Sequence, residues 1–193
     1  GSRYCLWPIC CFTSSELSLI GLRRETIPGL MISSDPTQKV LAREEMISRY
    51  GPTRTGTLVF TNGCFDLLHP GHVSCLYEAG RCGDHLVVAI NSDYSVRLLD
   101  KADNRPLIPE QDRAVVVAAL EFVDAVCLFD EATPIDLINQ LGPDVLVKGA
   151  DYRHEDVVGH EVVEQRGGRV ALVPLLEGYS TTDLVARIRS HLK

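Results

Sequence analysis

Short apolar runs alternate with helical patterns along most of this sequence, and this alternation limits the folds that the chain can adopt. The five runs are TLVFT (57–61), HLVVAI (85–90), AVCLF (125–129), DVLVK (144–148) and RVALVPLL (169–176). Continuous apolar character is typical of strands that are covered on both faces. Because strands that alternate with helices form parallel βαβ units, the sequence predicts an α/β fold with a Rossmann-like, doubly wound, open parallel sheet of five strands.

Turn and capping residues predict where the intervening helices begin and end. Thr133 and Pro134 have the chemistry of an N-cap and a first helical residue, and Gly142-Pro143 ends that helix. Gly83 is predicted to be the C′ glycine of an earlier helix. The other predicted helices are 71–82, 109–122, 155–165 and 183–192, the last capped by Ser180, Thr181 and Thr182.

The composition of the chain limits which kinds of partner it can bind and where it can reside. The chain has 193 residues and a net charge of −7, which argues against broad nucleic-acid binding because that needs a basic face. No apolar run approaches the roughly 18 residues of a membrane span. The seven cysteines are scattered and lack paired CxxC spacing, so we predict free thiols and a cytoplasmic location.

The first 30 residues differ from the rest of the sequence. Gly1-Ser2 is typical of the scar left when a tag is cleaved, and 3–30 holds the only Trp and three of the seven Cys. We predict that 1–30 is a tag, a non-native leader or a disordered segment, and that Met31 is the functional start. A helical lead-in (31–55) and the main domain (56–193) are predicted to follow.

Polar residues collect after four of the five predicted strands. Because ligands of open α/β folds bind outside the carboxyl ends of the strands, these residues predict one crevice. They are Asn62, Gly63, Asp66, His69, Gly71 and His72; Asn91, Ser92 and Asp93; Lys148, Gly149, Asp151 and Tyr152; and Gly178 to Thr182.

The segment His-Pro-Gly-His (69–72) is predicted to bind an anion. The sequence has neither a P-loop nor a GxGxxG motif, so phosphates would need another binding device. Gly71 allows close approach of the backbone at a helix start, where free N–H groups and the helix dipole favour negative charge. His69 and His72 are three residues apart, and both rings can face one anion. With the Ser-Thr-Thr helix start, this pattern predicts a polyphosphate site.

Simpler interpretations stay open for several of these residues. His72 could be a satisfied core histidine, and the Ser-Thr-Thr segment could be an ordinary N-cap. Cys64, His69, His72 and Cys75 are all zinc-ligand types within 12 residues.

Two arginines are harder to interpret. Arg105 could be an ordinary surface charge. Arg113 lies early in a helix, where a cation is unfavourable against the dipole, and a ligand phosphate would compensate for that placement.

Several motifs together resemble one known family. TNGCFDLLHPGHVSCL (61–76) resembles the HxGH signature of the cytidylyltransferase-like nucleotidyltransferases, and EGYSTTDLVARI (177–188) resembles their closing helix. RPLIPEQDR (105–113), TPIDLI (133–138) and VKGADY (147–152) are closest to the D-glycero-β-D-manno-heptose 1-phosphate adenylyltransferases, which include the C-terminal half of a bifunctional heptose kinase/adenylyltransferase. The resemblance covers about residues 40–193. The ribokinase-like half of the bifunctional protein has no counterpart in this sequence, so the resemblance implies the stand-alone form.

The resemblance implies transfer of AMP from ATP to heptose 1-phosphate, with Mg²⁺ held mainly by the ATP phosphates. It also implies a homodimer or larger assembly, and a product that enters lipopolysaccharide or another surface glycan. The implied catalytic residues are His69, His72, Lys148 and Arg113. The implied nucleotide and phosphate ligands are Thr61, Asn62, Gly63, Phe65, Asp66, Gly71, Gly149, Asp151, Tyr179, Ser180, Thr181 and Thr182. The implied substrate ligands are Asn91, Asp93 and Arg105.

Two other functions remain open from the sequence. The first is a transferase of the same fold with another substrate pair, such as glycerol 3-phosphate with CTP or FMN with ATP. Leu175-Leu176 stands where glycerol-3-phosphate cytidylyltransferases usually have Arg-Thr, which favours the adenylyl branch. The second is a nucleotide-binding module without turnover.

Overall fold

A computed structural model describes residues 35–99 and 105–191. The predictions for the leader, including the start at Met31, lie outside these residues. The helices are α1 (Arg43–Tyr50), α2 (Pro70–Gly80), α3 (Asp93–Leu98), α4 (Glu110–Ala118), α5 (Ile135–Leu141), α6 (His160–Gln165) and α7 (Thr181–His191). The strands are β1 (Leu58–Gly63), β2 (His85–Asn91), β3 (Ala125–Phe129), β4 (Val145–Gly149) and β5 (Arg169–Val173).

The five strands form one parallel sheet in the order β3-β2-β1-β4-β5, which confirms the predicted fold class. The chain winds outward from β1 through β2 to β3, and then crosses to the other side to add β4 and β5. The winding therefore changes direction between β1 and β4. In open α/β sheets, this switch point is where a crevice opens at the carboxyl ends of the strands.

Helices cover both faces of the sheet, and the alternation of side chains along β1 shows why. Leu58 and Phe60 pack into one core with residues of α1, α5 and α6. Val59, between them, points to the other face and packs with residues of α2 and α4. All three side chains are fully buried. Successive residues of a strand face opposite sides, so a continuous apolar run serves both cores.

Two helical predictions differ from the structure. The predicted helix 155–165 is instead a short 3-10 turn (His154–Asp156) followed by α6, because Gly159 between them has a positive φ of 91°. The prediction also missed α3, which Ser92 caps by accepting a hydrogen bond from the Ser95 N–H at 3.1 Å.

The capping predictions are partly wrong. The N-cap of α5 is Pro134 and makes no side-chain capping bond, so Thr133 is not the cap, whereas Gly142 ends the helix in the left-handed conformation as predicted. Gly83 is not a C′ glycine, because α2 ends at Gly80. A Cβ at Gly83 would lie 2.7 Å from the Thr57 carbonyl oxygen. Close approach to the chain before β1 therefore explains this glycine.

The predicted lead-in contains a 3-10 turn (Pro36–Lys39) and α1. Val40 adds a parallel bridge to Val126 at the β3 edge of the sheet. Within the described ranges, no helix is long and apolar enough to cross a membrane.

Candidate active site

A crevice of about 760 Å³ lies where the ends of β1 and β4 meet the starts of α2 and α7. It occupies the switch point of the sheet. The predicted residues that line it are Thr61, Asn62, Gly63, Phe65, His69, Gly71, His72, Arg105, Lys148, Gly149, Asp151, Tyr179, Ser180, Thr181 and Thr182. The structure thus brings together most of the residues that the sequence analysis selected.

The start of α2 lies close to the segment that leads into α7. His69 is the N-cap, Pro70 occupies the first turn, and Gly71 is buried. A Cβ at Gly71 would lie 3.1 Å from the His69 ring and 3.2 Å from the Tyr179 Cβ. A side chain at this position would therefore have to displace the His69 ring and the segment that leads into α7 by a few tenths of an ångström.

The two histidine rings stack on each other, with 3.7 Å between centroids and 17° between planes. Phe65 meets the His72 ring edge-on at 5.2 Å. Burial, and to a smaller extent the neighbouring His69, lower the pKa of His72 to about 4, although the Leu67 carbonyl opposes the shift. Burial also lowers the pKa of His69. His72 is therefore neutral near pH 7.

A capping bond fixes the role of each His69 nitrogen. Nδ1 of His69 accepts the His72 backbone N–H at 3.3 Å. In the neutral ring, this leaves the proton on Nε2, which becomes a hydrogen-bond donor. Nδ1 of His72, by contrast, is buried without a hydrogen-bond partner among the described residues. Leaving a buried polar atom unpaired is costly.

The start of α7 resembles a capping box. The Ser180 hydroxyl accepts the Asp183 N–H at 3.0 Å and donates to the Asp183 carboxylate at 2.7 Å. This hydroxyl therefore caps the helix. The hydroxyls and backbone N–H groups of Thr181 and Thr182 have no hydrogen-bond partner within the described ranges and remain as donors at the crevice.

Lys148 ties the end of β4 to the end of β1. Its Nζ donates to the Asn62 carbonyl oxygen at 2.8 Å and to the Asn62 side-chain oxygen at 2.6 Å. The ammonium also lies 5.5 Å from the centre of the Tyr152 ring. Lys148 is thus a cation on the crevice wall that neighbouring groups already orient.

The structure places four predicted site residues, Asp66, Asn91, Asp93 and Arg113, outside the crevice lining. Arg113 is 1% exposed and donates to the carbonyl oxygens of Ile108, Cys64 and Asn91, and to the Asp93 carboxylate at 2.9 Å. Protein oxygens rather than a phosphate compensate for its position early in a helix. Asn91 and Asp93 accept these bonds and likewise do not line the crevice.

Some lining residues were absent from the predicted site set. They are Cys64, Cys75, Tyr152, Leu175, Leu176 and Glu177. Three of them carried a signal in the sequence. Tyr152 belongs to the polar group that follows β4, and Leu175 and Leu176 belong to the apolar run that contains β5. The sequence extended that run as a strand, but β5 ends at Val173.

The structure also bears on the zinc alternative. Within residues 35–99 and 105–191, no group of three or more His, Cys, Asp or Glu side chains is placed to hold a metal ion. Two contacts within the protein account for the positions of these rings: His69 stacks on His72, and His69 Nδ1 caps α2.

Acid sensitivity provides a test of the buried His72. The unfolded chain takes up a proton near the ordinary pKa of about 6.5, whereas the folded chain does so only near 4. The folded state therefore loses stability as the pH falls through this window. We expect His72→Gln to remove about 1 kcal/mol of the loss seen between pH 7 and pH 5, after a discount for the exposed part of the ring.

Urea unfolding at pH 8, 7 and 5 measures this effect. Between pH 8 and pH 7 the wild type and the variant should change in parallel, since the unfolded ring is mostly neutral there. Equal losses for both proteins between pH 7 and pH 5 would contradict the lowered pKa.

Comparisons with known proteins agree with the geometry. The profile of the family described as cytidylyltransferase-like matches residues 60–187. Bifunctional protein HldE of Syntrophotalea carbinolica is 57% identical over 135 residues, which is 70% of this chain and 27% of that protein. Bifunctional protein HldE of Rhodopseudomonas palustris strain BisA53 is 47% identical over 179 residues, which is 92% of this chain and 36% of that protein. The chain thus spans only about a third of the length of these relatives.

A solved structure shares the fold. The lipopolysaccharide core biosynthesis protein from Thermoplasma volcanium GSS1 aligns with a TM-score of 0.53 and 27% identity. The alignment covers 65% of this chain and 99% of that protein.

Proposed function

The chain belongs to the cytidylyltransferase-like family of nucleotidyltransferases, and from this premise we propose that it transfers AMP from ATP to D-glycero-β-D-manno-heptose 1-phosphate. The products are ADP-heptose and pyrophosphate. The observation that carries the proposal is the meeting of two helix starts, at His69–His72 and Ser180–Thr182, on one crevice. The acceptor is supported by the branch motifs at 105–113, 133–138 and 147–152, and by the similarity to HldE proteins.

The two helix starts supply donors for a triphosphate. In this proposal, the backbone N–H groups at Gly71, Thr181 and Thr182 and the threonine hydroxyls bind phosphate oxygens, as helix N-termini commonly do. Ser180 acts as the cap that orients this end. The other predicted nucleotide ligands on β1 and β4 line the floor and walls around the nucleotide.

The reaction needs no general base. A phosphate monoester has its second pKa near 6, so the acceptor is largely a dianion at pH 7. One of its oxygens attacks the α-phosphorus of ATP, a new P–O bond forms, and the bond to the leaving pyrophosphate breaks. Catalysis then consists of in-line positioning and of hydrogen bonds to the charge that develops, with His69, His72 and Lys148 as the proposed donors.

The charge of the crevice suggests that ATP binds with Mg²⁺. Among the described residues, its cations are Arg105 and Lys148, its carboxylates are Asp151 and Glu177, and the His72 ring is neutral. These charges leave little to balance a triphosphate. Mg²⁺ typically takes one or two carboxylates with substrate phosphates and water, so Asp151 and Glu177 fit as partners. When bound, the ion would neutralise phosphate charge.

Two leucines support ATP over CTP as the nucleotide. Leu175 and Leu176 line the crevice with apolar side chains that are 46% and 44% exposed. Side chains of this kind bind a base by packing on its face rather than by hydrogen bonding to its edge. A purine has the larger face and so gains more from such contact.

Pyrophosphate release tests the proposal. Wild-type protein is assayed with ATP and heptose 1-phosphate in the presence of Mg²⁺, with CTP replacing ATP as the control. We expect release only with ATP. Release with glycerol 3-phosphate and CTP, or with FMN and ATP, would transfer the assignment to another substrate pair. ATP binding without release from any pair would indicate a binding module.

A further inference from the structure

A second, smaller cavity of about 180 Å³ adjoins the crevice. Five of its seven lining residues also line the crevice, so the two spaces share a wall. At roughly 30 Å³ per water molecule, the smaller cavity has room for a phosphate group and part of a sugar, but not for a nucleoside triphosphate. Its lining residues are Cys64, Phe65, Asp66, His72, Val96, Arg105 and Thr181.

Among the described residues, Arg105 is the only cation that lines this cavity. Its Nε donates to the Asp66 carboxylate at 3.0 Å, and 22% of the side chain is exposed. No further hydrogen bond from this guanidinium reaches a described residue. With respect to the described residues, the two terminal nitrogens therefore form a planar pair of available donors, which is the geometry that binds a phosphate in bidentate fashion.

Asp66 holds Arg105 in place. One carboxylate oxygen accepts the backbone N–H groups of Leu107 and Ile108 at 2.8 and 2.9 Å, and the other accepts the Arg105 Nε–H. The Asp66 side chain is fully buried. These bonds fasten the chain at 105–108 to the loop after β1. Three donors therefore occupy the Asp66 oxygens, and only one of them comes from Arg105. The side of the guanidinium that points away from Asp66 can bind a ligand.

We propose that the smaller cavity is the acceptor subsite, in which Arg105 binds the phosphate of the sugar 1-phosphate and Asp66 positions Arg105. The inference rests on the proposed function. His72 and Thr181 line both spaces. An acceptor phosphate held by Arg105 therefore lies beside the residues proposed to contact the ATP phosphates, as the attack on the α-phosphorus requires.

Steady-state kinetics test this assignment. We expect Arg105→Ala to raise the KM for the acceptor by about ten- to a hundredfold, the loss typical of charged hydrogen bonds, while the KM for ATP changes less than about threefold. Arg105→Lys should recover part of the loss. Asp66→Asn should give the same selective rise, because an amide group facing Nε–H no longer holds the guanidinium. Arg97→Ala, an exposed arginine on α3, is the matched control and should change neither KM.

A binding measurement separates this inference from the proposed function. Inorganic phosphate is titrated calorimetrically into protein saturated with a non-hydrolysable ATP analogue, so no turnover or particular sugar is needed. We expect binding to the wild type and at least tenfold weaker binding to Arg105→Ala. Absence of heptose 1-phosphate turnover would refute the proposed function alone. Equal phosphate affinity in both proteins, no phosphate binding to the wild type, or an equal rise of both KM values would overturn the acceptor subsite.

Discussion

Replacing His72 by Ala is expected to lower kcat for pyrophosphate release by about 10²–10³-fold while the protein remains folded. Losing one donor to the charge that develops in a transition state typically has this cost. The His72 ring lies between the two cavities and has a pKa of about 4. A neutral ring donates a hydrogen bond without giving up a proton, and its effect should therefore appear mainly in kcat.

His85→Ala is the matched control for this substitution. His85 is the first residue of β2 and so lies at the amino-terminal ends of the strands, opposite the crevice, where its ring packs against Tyr50. We expect its removal to leave kcat within about twofold of the wild type. Urea unfolding of both variants checks that the fold is intact. A His72→Ala protein with full activity would refute the catalytic role of this ring.

Replacing Arg113 by Ala is expected to lower the free energy of unfolding by about 3–5 kcal/mol. The substitution removes four hydrogen bonds and leaves the carbonyl oxygens of Cys64, Asn91 and Ile108 without this donor. It also leaves the Asp93 carboxylate without its ion-pair partner. Each unsatisfied buried group adds about 1–3 kcal/mol, although Asp93, with 26% of its side chain exposed, gains some compensation from water.

Arg81→Ala is the control for this second prediction. Arg81 pairs with Glu78 at 3.3 Å, and its side chain is 65% exposed, so its loss should change stability by less than about 1 kcal/mol. Denaturant unfolding measures both variants. A stable Arg113→Ala protein with a raised KM for ATP would instead support the phosphate-binding role that the sequence predicts for Arg113.

His72 and Arg113 differ in how far along the chain the groups around them lie. The motif at 69–72 is local: a glycine, a proline and two histidines within one helical turn predict a helix start that faces an anion, and the structure places this start on the crevice. The partners of Arg113 lie 5, 20, 22 and 49 residues away along the chain. No local pattern distinguishes a phosphate from such distant protein oxygens.

Arg105 depends on a distant partner in the same way as Arg113. As a single arginine in a polar segment, it had the pattern of a surface charge, and only the resemblance to a family suggested a substrate contact. The side chain acquires a defined position through Asp66, 39 residues earlier in the chain. The smaller cavity beside it is likewise formed by residues from four separate segments, around 64–72, 96, 105 and 181.

Local sequence patterns are enough to predict the parallel α/β fold, the five strands and the two helix starts, because hydrophobic periodicity and capping chemistry act over a few residues. The packing of distant segments instead decided which polar residues face the crevice and which form hydrogen bonds within the protein. It also decided that the His72 ring is held neutral by burial, and that a second cavity lies beside the first. These properties depend on distances between segments far apart in the chain, and such distances are fixed only when the sheet and its helices pack together.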